Sequence, residues 1–165
     1  MAHISHGKAA KMTTVVACTV RGEMAADTQA STDSGSIDRI TKVHRLPDGS
    51  LVGYCGSAKQ GHQFIEWLKS ERGEPCPDIP DMQALILDHD HVLWDVAGAW
   101  PPYVLNGNSA IGSGAQGALV ALRVFGATPL QAVQAAATVD SNTSGPFTVL
   151  KLLQPVQTKR KLKST

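Results

Sequence analysis

The apolar positions change their period several times along the chain, and each change marks an element. Residues 13–20 (TTVVACTV) are rich in β-branched side chains and predict a strand. Arg21-Gly22-Glu23 makes a tight turn, and 24–27 returns as a second strand. Residues 32–37 (TDSGSI) read as loop. A third strand is expected over 39–46, closed by Pro47-Asp48-Gly49, in which proline presets φ and glycine accepts a positive one. Residues 51–55 are the fourth strand. The period then lengthens. Phe64, Ile65 and Leu68 fall on one face with Trp67 beside them, so 58–70 is a helix. Pro75, Pro77 and Pro80 exclude a helix over 73–80. Residues 84–87 and 92–96 flank Asp88-His89-Asp90 as a hairpin, and 104–111 returns toward a sheet. Two Ala- and Gly-rich helices follow, 114–125 and 129–139. The second has Thr128 as N-cap and Pro129 as first helical residue. Residues 146–153 are the last strand.

The order ββββ, α, βββ, αα, β groups strands with strands and helices with helices. That is the pattern of a layered α+β fold, two sheets with helices outside them. A length of 165 residues suits one domain. No apolar run approaches the ~20 residues of a membrane-spanning helix. Met1 to Met12 lack the apolar stretch of a signal peptide, so the chain is expected to be cytoplasmic. Cys18, Cys55 and Cys76 have no metal-ligand spacing and form no even set for disulfides, which suits a reducing compartment.

Fifteen basic residues face fourteen acidic ones, but six of the fifteen are terminal: Lys8, Lys11, Lys159, Arg160, Lys161 and Lys163. The body between carries nine basic residues against fourteen acidic. A mildly acidic body argues against a nucleic-acid-binding surface. The organisation expected is an extension over 1–12, a domain over 13–153 and a basic tail over 154–165, the tail read as a solvated terminus.

Thr13 follows Met12 directly. Were Met12 the start, its removal would leave Thr13 with a free α-amine. An N-terminal threonine combines nucleophile and base in one residue: its hydroxyl attacks, and its own amine takes the proton. The ordinary α-amine pKa, about 7.7–8.0, leaves a useful neutral fraction at cellular pH.

Several ordered segments share a pattern around that threonine. They are Thr13-Thr14-Val15-Val16, Met24-Ala25-Ala26-Asp27-Thr28-Gln29, Thr41-Lys42-Val43-His44-Arg45-Leu46, Val52-Gly53-Tyr54-Cys55-Gly56-Ser57-Ala58, Ala110-Ile111-Gly112-Ser113-Gly114, and Asp140 followed by Ser144-Gly145. Together they resemble the proteasome β subunits and their bacterial HslV-like relatives, over about 13–153. The resemblance implies the four-layer αββα sandwich of N-terminal-nucleophile hydrolases. It implies Thr13 as nucleophile and base, Lys42 as the adjacent cation and Asp27 as its partner. Gly53 would supply an oxyanion-hole N–H, and Ser113, Asp140 and Ser144 would serve the amine's proton. Ile40, His44, Leu51 and Cys55 would shape the first substrate subsite. The implied activity is threonine-dependent cleavage of peptides or unfolded proteins, without metal or organic cofactor. It would occur inside a homo-oligomeric ring, stacked in pairs and fed by an ATPase unfoldase. A non-catalytic ring or scaffold protein of the same fold, and an amidase acting on small molecules, remain alternatives.

The chain departs from that pattern in two places. Eleven residues precede Met12, and a Thr13 amine held in a peptide bond cannot act as base. Between Ser70 and Ala84 there is only a Pro-rich link, so one outer layer is expected to be reduced to a single helix. Elsewhere, His89-Asp90-His91 reads as a solvated hairpin tip rather than a metal site. Trp94 and Trp100 with Pro101-Pro102 read as core packing rather than a contact surface.

Overall fold

The computed structural model describes residues 12–31 and 34–154. In chain order its elements are β1 (Thr14–Cys18), β2 (Glu23–Ala26), β3 (Gln29–Ser31), β4 (Ile37–Arg39), β5 (Val43–Arg45), β6 (Leu51–Gly56), α1 (Ala58–Lys69), β7 (Met82–Leu87), β8 (Leu93–Ala97), β9 (Tyr103–Leu105), β10 (Ser109–Gly112), α2 (Ala115–Val124), α3 (Pro129–Ala137) and β11 (Thr148–Lys151). The expected 1–12 extension lies outside the described residues except for Met12. So does the 154–165 tail, except for Gln154.

One antiparallel sheet runs β10-β1-β2-β11 and another runs β5-β6-β7-β8-β9; β3 and β4 pair separately. The period-2 alternation of the strands assigns each side chain to a layer. Val15 and Ala17 of β1, Met24 and Ala26 of β2, Leu51 and Cys55 of β6, and Leu85 and Leu87 of β7 meet between the sheets. Their neighbours face outward. Val52, Tyr54, Ala84 and Ile86 pack on Phe64, Ile65 and Trp67 of α1. On the other side, Val16 and Ala25 pack on Ala118, Leu122, Ala132, Val133 and Ala136 of α2 and α3. The layers are therefore α1, five strands, four strands, then α2 with α3. Between α1 and β7 there is no helix, as the three prolines require.

Both α1 and α3 begin as their sequences dictate. Ser57 accepts from the Gln60 N–H, and Thr128 forms a reciprocal capping box with Gln131. Two strands expected as continuous are broken. The 39–46 segment divides into β4 and β5, because Ile40 N–H turns to the Thr28 carbonyl (2.9 Å) and the Lys42 side chain is drawn into a buried cluster. The 104–111 segment divides into β9 and β10, which belong to different sheets and are joined through Gly107 at φ 84°. The short polar strand β3 carries no hydrophobic alternation and was not expected.

Candidate active site

Thr13 precedes the first residue of β1, at the end of the sandwich where β2 also finishes. It is 2% exposed. The Lys42 ammonium reaches it from the start of β5 and donates to Thr13 Oγ1 at 2.6 Å. Lys42 is as buried as Thr13, and its three protons have three acceptors: Thr13 Oγ1, Asp27 Oδ1 at 3.2 Å, and the Gln29 carbonyl. Asp27, fully buried, also takes the Thr14 N–H on Oδ1 (2.9 Å) and the Gln29 N–H on Oδ2 (3.1 Å). This is a buried ion pair in which all three lysine protons and both carboxylate oxygens are hydrogen-bonded, the condition under which such a pair survives desolvation. Burial pushes the Lys42 ammonium below the ordinary lysine value, against the pull of Asp27. Burial likewise raises the Asp27 carboxyl, opposed by Lys42 and the two backbone N–H groups.

On the other side of Thr13 lies Ser113, placed by the turn from β10 into α2. Thr13 N–H points at Ser113 Oγ (3.4 Å), and the Ser113 hydroxyl donates to Asp140 Oδ2 at 2.6 Å. Thr143 donates to the same oxygen at 2.6 Å. Its proton being used there, Thr14 Oγ1, 2.6 Å away, is the donor to Thr143. Burial alone would raise the Asp140 carboxyl. The bonds from Ser113, Thr143 and Asn142 outweigh it and hold the group below the ordinary aspartate value. Gly112 makes the approach of β10 to Thr13 possible. At φ 98° it pairs with Thr14, and any Cβ there would overlap the Thr13 carbonyl oxygen.

Thr13, Asp27, Lys42, Ser113 and Asp140 thus stand together. Ser144 does not join Asp140: it donates to Gln29 Oε1 (2.7 Å) and accepts from Arg39 (2.9 Å). The hydroxyl that joins Ser113 on Asp140 belongs instead to Thr143, one residue earlier. A threonine three residues after the carboxylate, close enough to bond it across a tight turn, was the signal available. Gly53 is likewise displaced from its expected task. Tyr54 N–H donates to the Lys42 carbonyl across to β5. By alternation Gly53 N–H points the other way, into the β7 ladder. Its missing side chain lets the sheets meet, since a Cβ would lie 2.6 Å from Val15 and 2.9 Å from Met24. By the same alternation the N–H of Gly56, two residues beyond Tyr54, faces away from β7, since the Ser57 N–H is the one that donates to the Asp81 carbonyl.

Of the four subsite residues, two line a cavity. Ile40 and His44, with Thr41, Tyr54, Ala58 and His62, enclose about 380 Å³ between β5, β6 and α1. His44 and Tyr54 stack at 6.2 Å, and Glu66 and Lys69 at the rim form an exposed ion pair. Leu51 and Cys55 lie in the inter-sheet core instead, because odd-numbered positions of β6 face the other sheet. His91 turns its ring to the Thr19 carbonyl rather than toward His89.

No protein-family model and no curated protein sequence matches this chain. Solved structures do. The eukaryotic HslV from Trypanosoma brucei matches with a TM-score of 0.67 at 16% identity, over 83% of this chain and 97% of its own. Thiobacillus denitrificans BPH in complex with epoxomicin gives 0.62 at 20% identity, over 86% and 100%. The same BPH in another structure gives 0.55 at 21%, over 87% and 99%. The chain has the HslV-type proteasome β-subunit fold. In the HslV-type fold, then, this chain buries a threonine and an aspartate at one end of the sheets, both bonded to one buried lysine. Among the described residues no helix is long and apolar enough to cross a membrane.

Proposed function

We propose that the protein is a threonine-dependent peptidase subunit acting on peptides or unfolded chains within a homo-oligomeric ring. The observation that carries this reading is the buried Lys42 ammonium 2.6 Å from the Thr13 hydroxyl. A cation there stabilises the alkoxide and favours proton loss from oxygen. With Met12 removed, the Thr13 amine takes the hydroxyl proton, and Ser113 is its hydrogen-bond partner. Thr13 Oγ then adds to the scissile carbonyl. The oxyanion is received by the N–H of Gly56, in a kind of site worth roughly 10²–10³ in rate per donor. Collapse gives an ester on Thr13 Oγ, while the amine passes its proton to the leaving nitrogen. Water, deprotonated by the same amine, hydrolyses the ester and restores the hydroxyl. Asp27 keeps Lys42 charged and in place, and Asp140 with Thr143 orients Ser113.

The cavity of Ile40, His44, Tyr54 and Ala58 is the seat for the side chain on the acyl side of the cleaved bond. Its rim charges cancel between Glu66 and Lys69, so it favours a large uncharged side chain. The exposed apolar face of α2, with Val120, Val124 and Phe125 52%, 68% and 77% accessible, supports burial in an assembly. The structural similarity to HslV supports a ring, with an ATPase unfoldase as the partner that would deliver substrate.

In the chain as written, the Thr13 hydroxyl bonds the Met12 carbonyl and its nitrogen is an amide. A form that keeps Met12 would serve as a ring or scaffold protein. The test is hydrolysis of a fluorogenic peptide with a bulky uncharged residue before the bond, by assembled protein with Thr13 exposed. Turnover that disappears in Thr13→Ala is expected. Turnover equal in both would exclude the threonine mechanism.

A further inference from the structure

The end of the sandwich remote from Thr13 carries a second and larger cavity, about 540 Å³. It lies on the outer face of the five-stranded sheet, where α1 is the one covering helix. Leu46, Ile86, Leu68, Trp94 and Trp100 supply apolar walls, and Asp48, Glu71 and Asp88 stand around them. The cation present, Arg72, is held 5.4 Å over the Trp100 ring. Glu71 and Arg72 both adopt left-handed backbone (φ 58° and 59°), which turns the chain sharply off α1 at the rim. Three carboxylates against one stacked arginine leave the cavity net negative. Its ligand should be a cationic segment with apolar side chains.

The chain carries such a segment beyond Gln154. Residues 155–165 (PVQTKRKLKST) contain Lys159, Arg160, Lys161 and Lys163, no acid, and the apolar Val156 and Leu162. They follow a strand that ends beside the cavity wall. Lys151 of β11 pairs with Glu23 at the far end of β2, and Arg45 donates to the Lys151 carbonyl at 2.6 Å and to the Gly49 carbonyl at 3.4 Å. Arg45 thus ties the root of the segment to the β5–β6 hairpin, whose Leu46, Pro47, Asp48 and Ser50 are one side of the cavity. Eleven residues span up to about 36 Å extended. One sheet layer, about 10 Å, has to be crossed.

We propose that residues 155–165 of the chain fold back into this cavity, the basic side chains meeting Asp48, Glu71 and Asp88 while Val156 and Leu162 rest on the tryptophan walls. The tail covers the outer face that a second helix would otherwise occupy. This seat is independent of any chemistry at Thr13.

Trp94 and Trp100 are two of the chain's three tryptophans, so emission and acrylamide quenching read the cavity directly. A chain ending at Gln154 should show red-shifted emission and stronger quenching than the full chain. A synthetic 155–165 peptide should reverse both saturably, and should leave the full chain unchanged because its cavity is filled. Glu71→Lys in the shortened chain should weaken the peptide at least tenfold. The same exposed substitution in the full chain should raise quenching, which keeps the test alive if the shortened chain folds poorly. Identical emission from full and shortened chains, or equal peptide binding to both, would overturn the proposal. So would a peptide indifferent to Glu71→Lys. Protection of the tryptophans that appears only as protein concentration rises would place the tail in a second copy and overturn the intrachain seat.

Discussion

The same two sheets end in two different ways. At the Thr13 end the chain buries polar and charged side chains and satisfies each with another: Thr13, Thr14, Asp27, Lys42 and Thr143 are all at most 2% exposed. At the opposite end it uses turns, a large aromatic cavity and the Arg45 tie between β11 and the β5–β6 hairpin. Glycine separates the ends most clearly. Gly112 and Gly49 both have positive φ, but a Cβ on Gly112 strikes the Thr13 carbonyl, whereas one on Gly49 meets nothing within 4 Å. The Thr13 end is held to one geometry by backbone contact. The remote end has room, and that room suits recognition better than chemistry.

Substitutions can break this contrast, beginning with the largest effect expected. Asp27→Ala leaves the Lys42 ammonium buried without its countercharge and two backbone N–H groups without acceptors. It should cost about 3–5 kcal/mol, the usual range for half of a buried pair, measured by urea unfolding. Gly112→Ala should destabilise by clearly more than Gly49→Ala, for which strain alone predicts about 1–2 kcal/mol. Equal costs would mean that β10 does not press on Thr13.

Thr143→Val removes a hydroxyl from Asp140 and from Thr14, for about 1–3 kcal/mol. It should also slow peptide cleavage, whereas Ser144→Ala, which touches Gln29 and Arg39, should leave the rate within a few-fold. The smallest effect concerns pH. Burial holds the His44 imidazole below its ordinary 6.5, against the Thr41 carbonyl and aided by Lys69 and His62. The unfolded chain therefore takes up that proton first. The His44 contribution is complete above pH 6.5 and is lost as pH falls from there through the folded-state value. His44→Gln should flatten that segment of the stability profile, measured by urea unfolding at pH 7.5, 6.5 and 5.5.

Much of this was legible in the sequence, and the failures share a cause. The strands around Thr13, the capped helices and the single-helix outer layer follow from local pattern and from proline. Thr13, Asp27, Lys42, Ser113 and Asp140 came from ordered motifs, and the structure brings them into contact. What local pattern missed depends on alternation read in three dimensions. Gly53 and Gly56 lie on one strand, yet their N–H groups point to opposite sides of it. Leu51 and Cys55 look like neighbours of His44 in the chain but face the other sheet. Thr143 and Ser144 are adjacent, and the turn after Asp140 decides which hydroxyl reaches the carboxylate. The aromatic cavity was hidden for a different reason: Trp94 and Trp100 do pack on the α1 core, and nothing in their spacing says that they also line open space.

The central claim is that Thr13 is a nucleophile as soon as its amine is free. It is tested by producing the protein from a start at Met1 and from a start at Met12, and taking the intact mass and the peptide-cleavage rate of each assembled form. The prediction is cleavage wherever the mass shows Thr13 as first residue, none where residues 2–12 are retained, and none in Thr13→Ala. An assembled protein that begins at Thr13 and cleaves nothing, or one that cleaves with Met12 still attached, would contradict it.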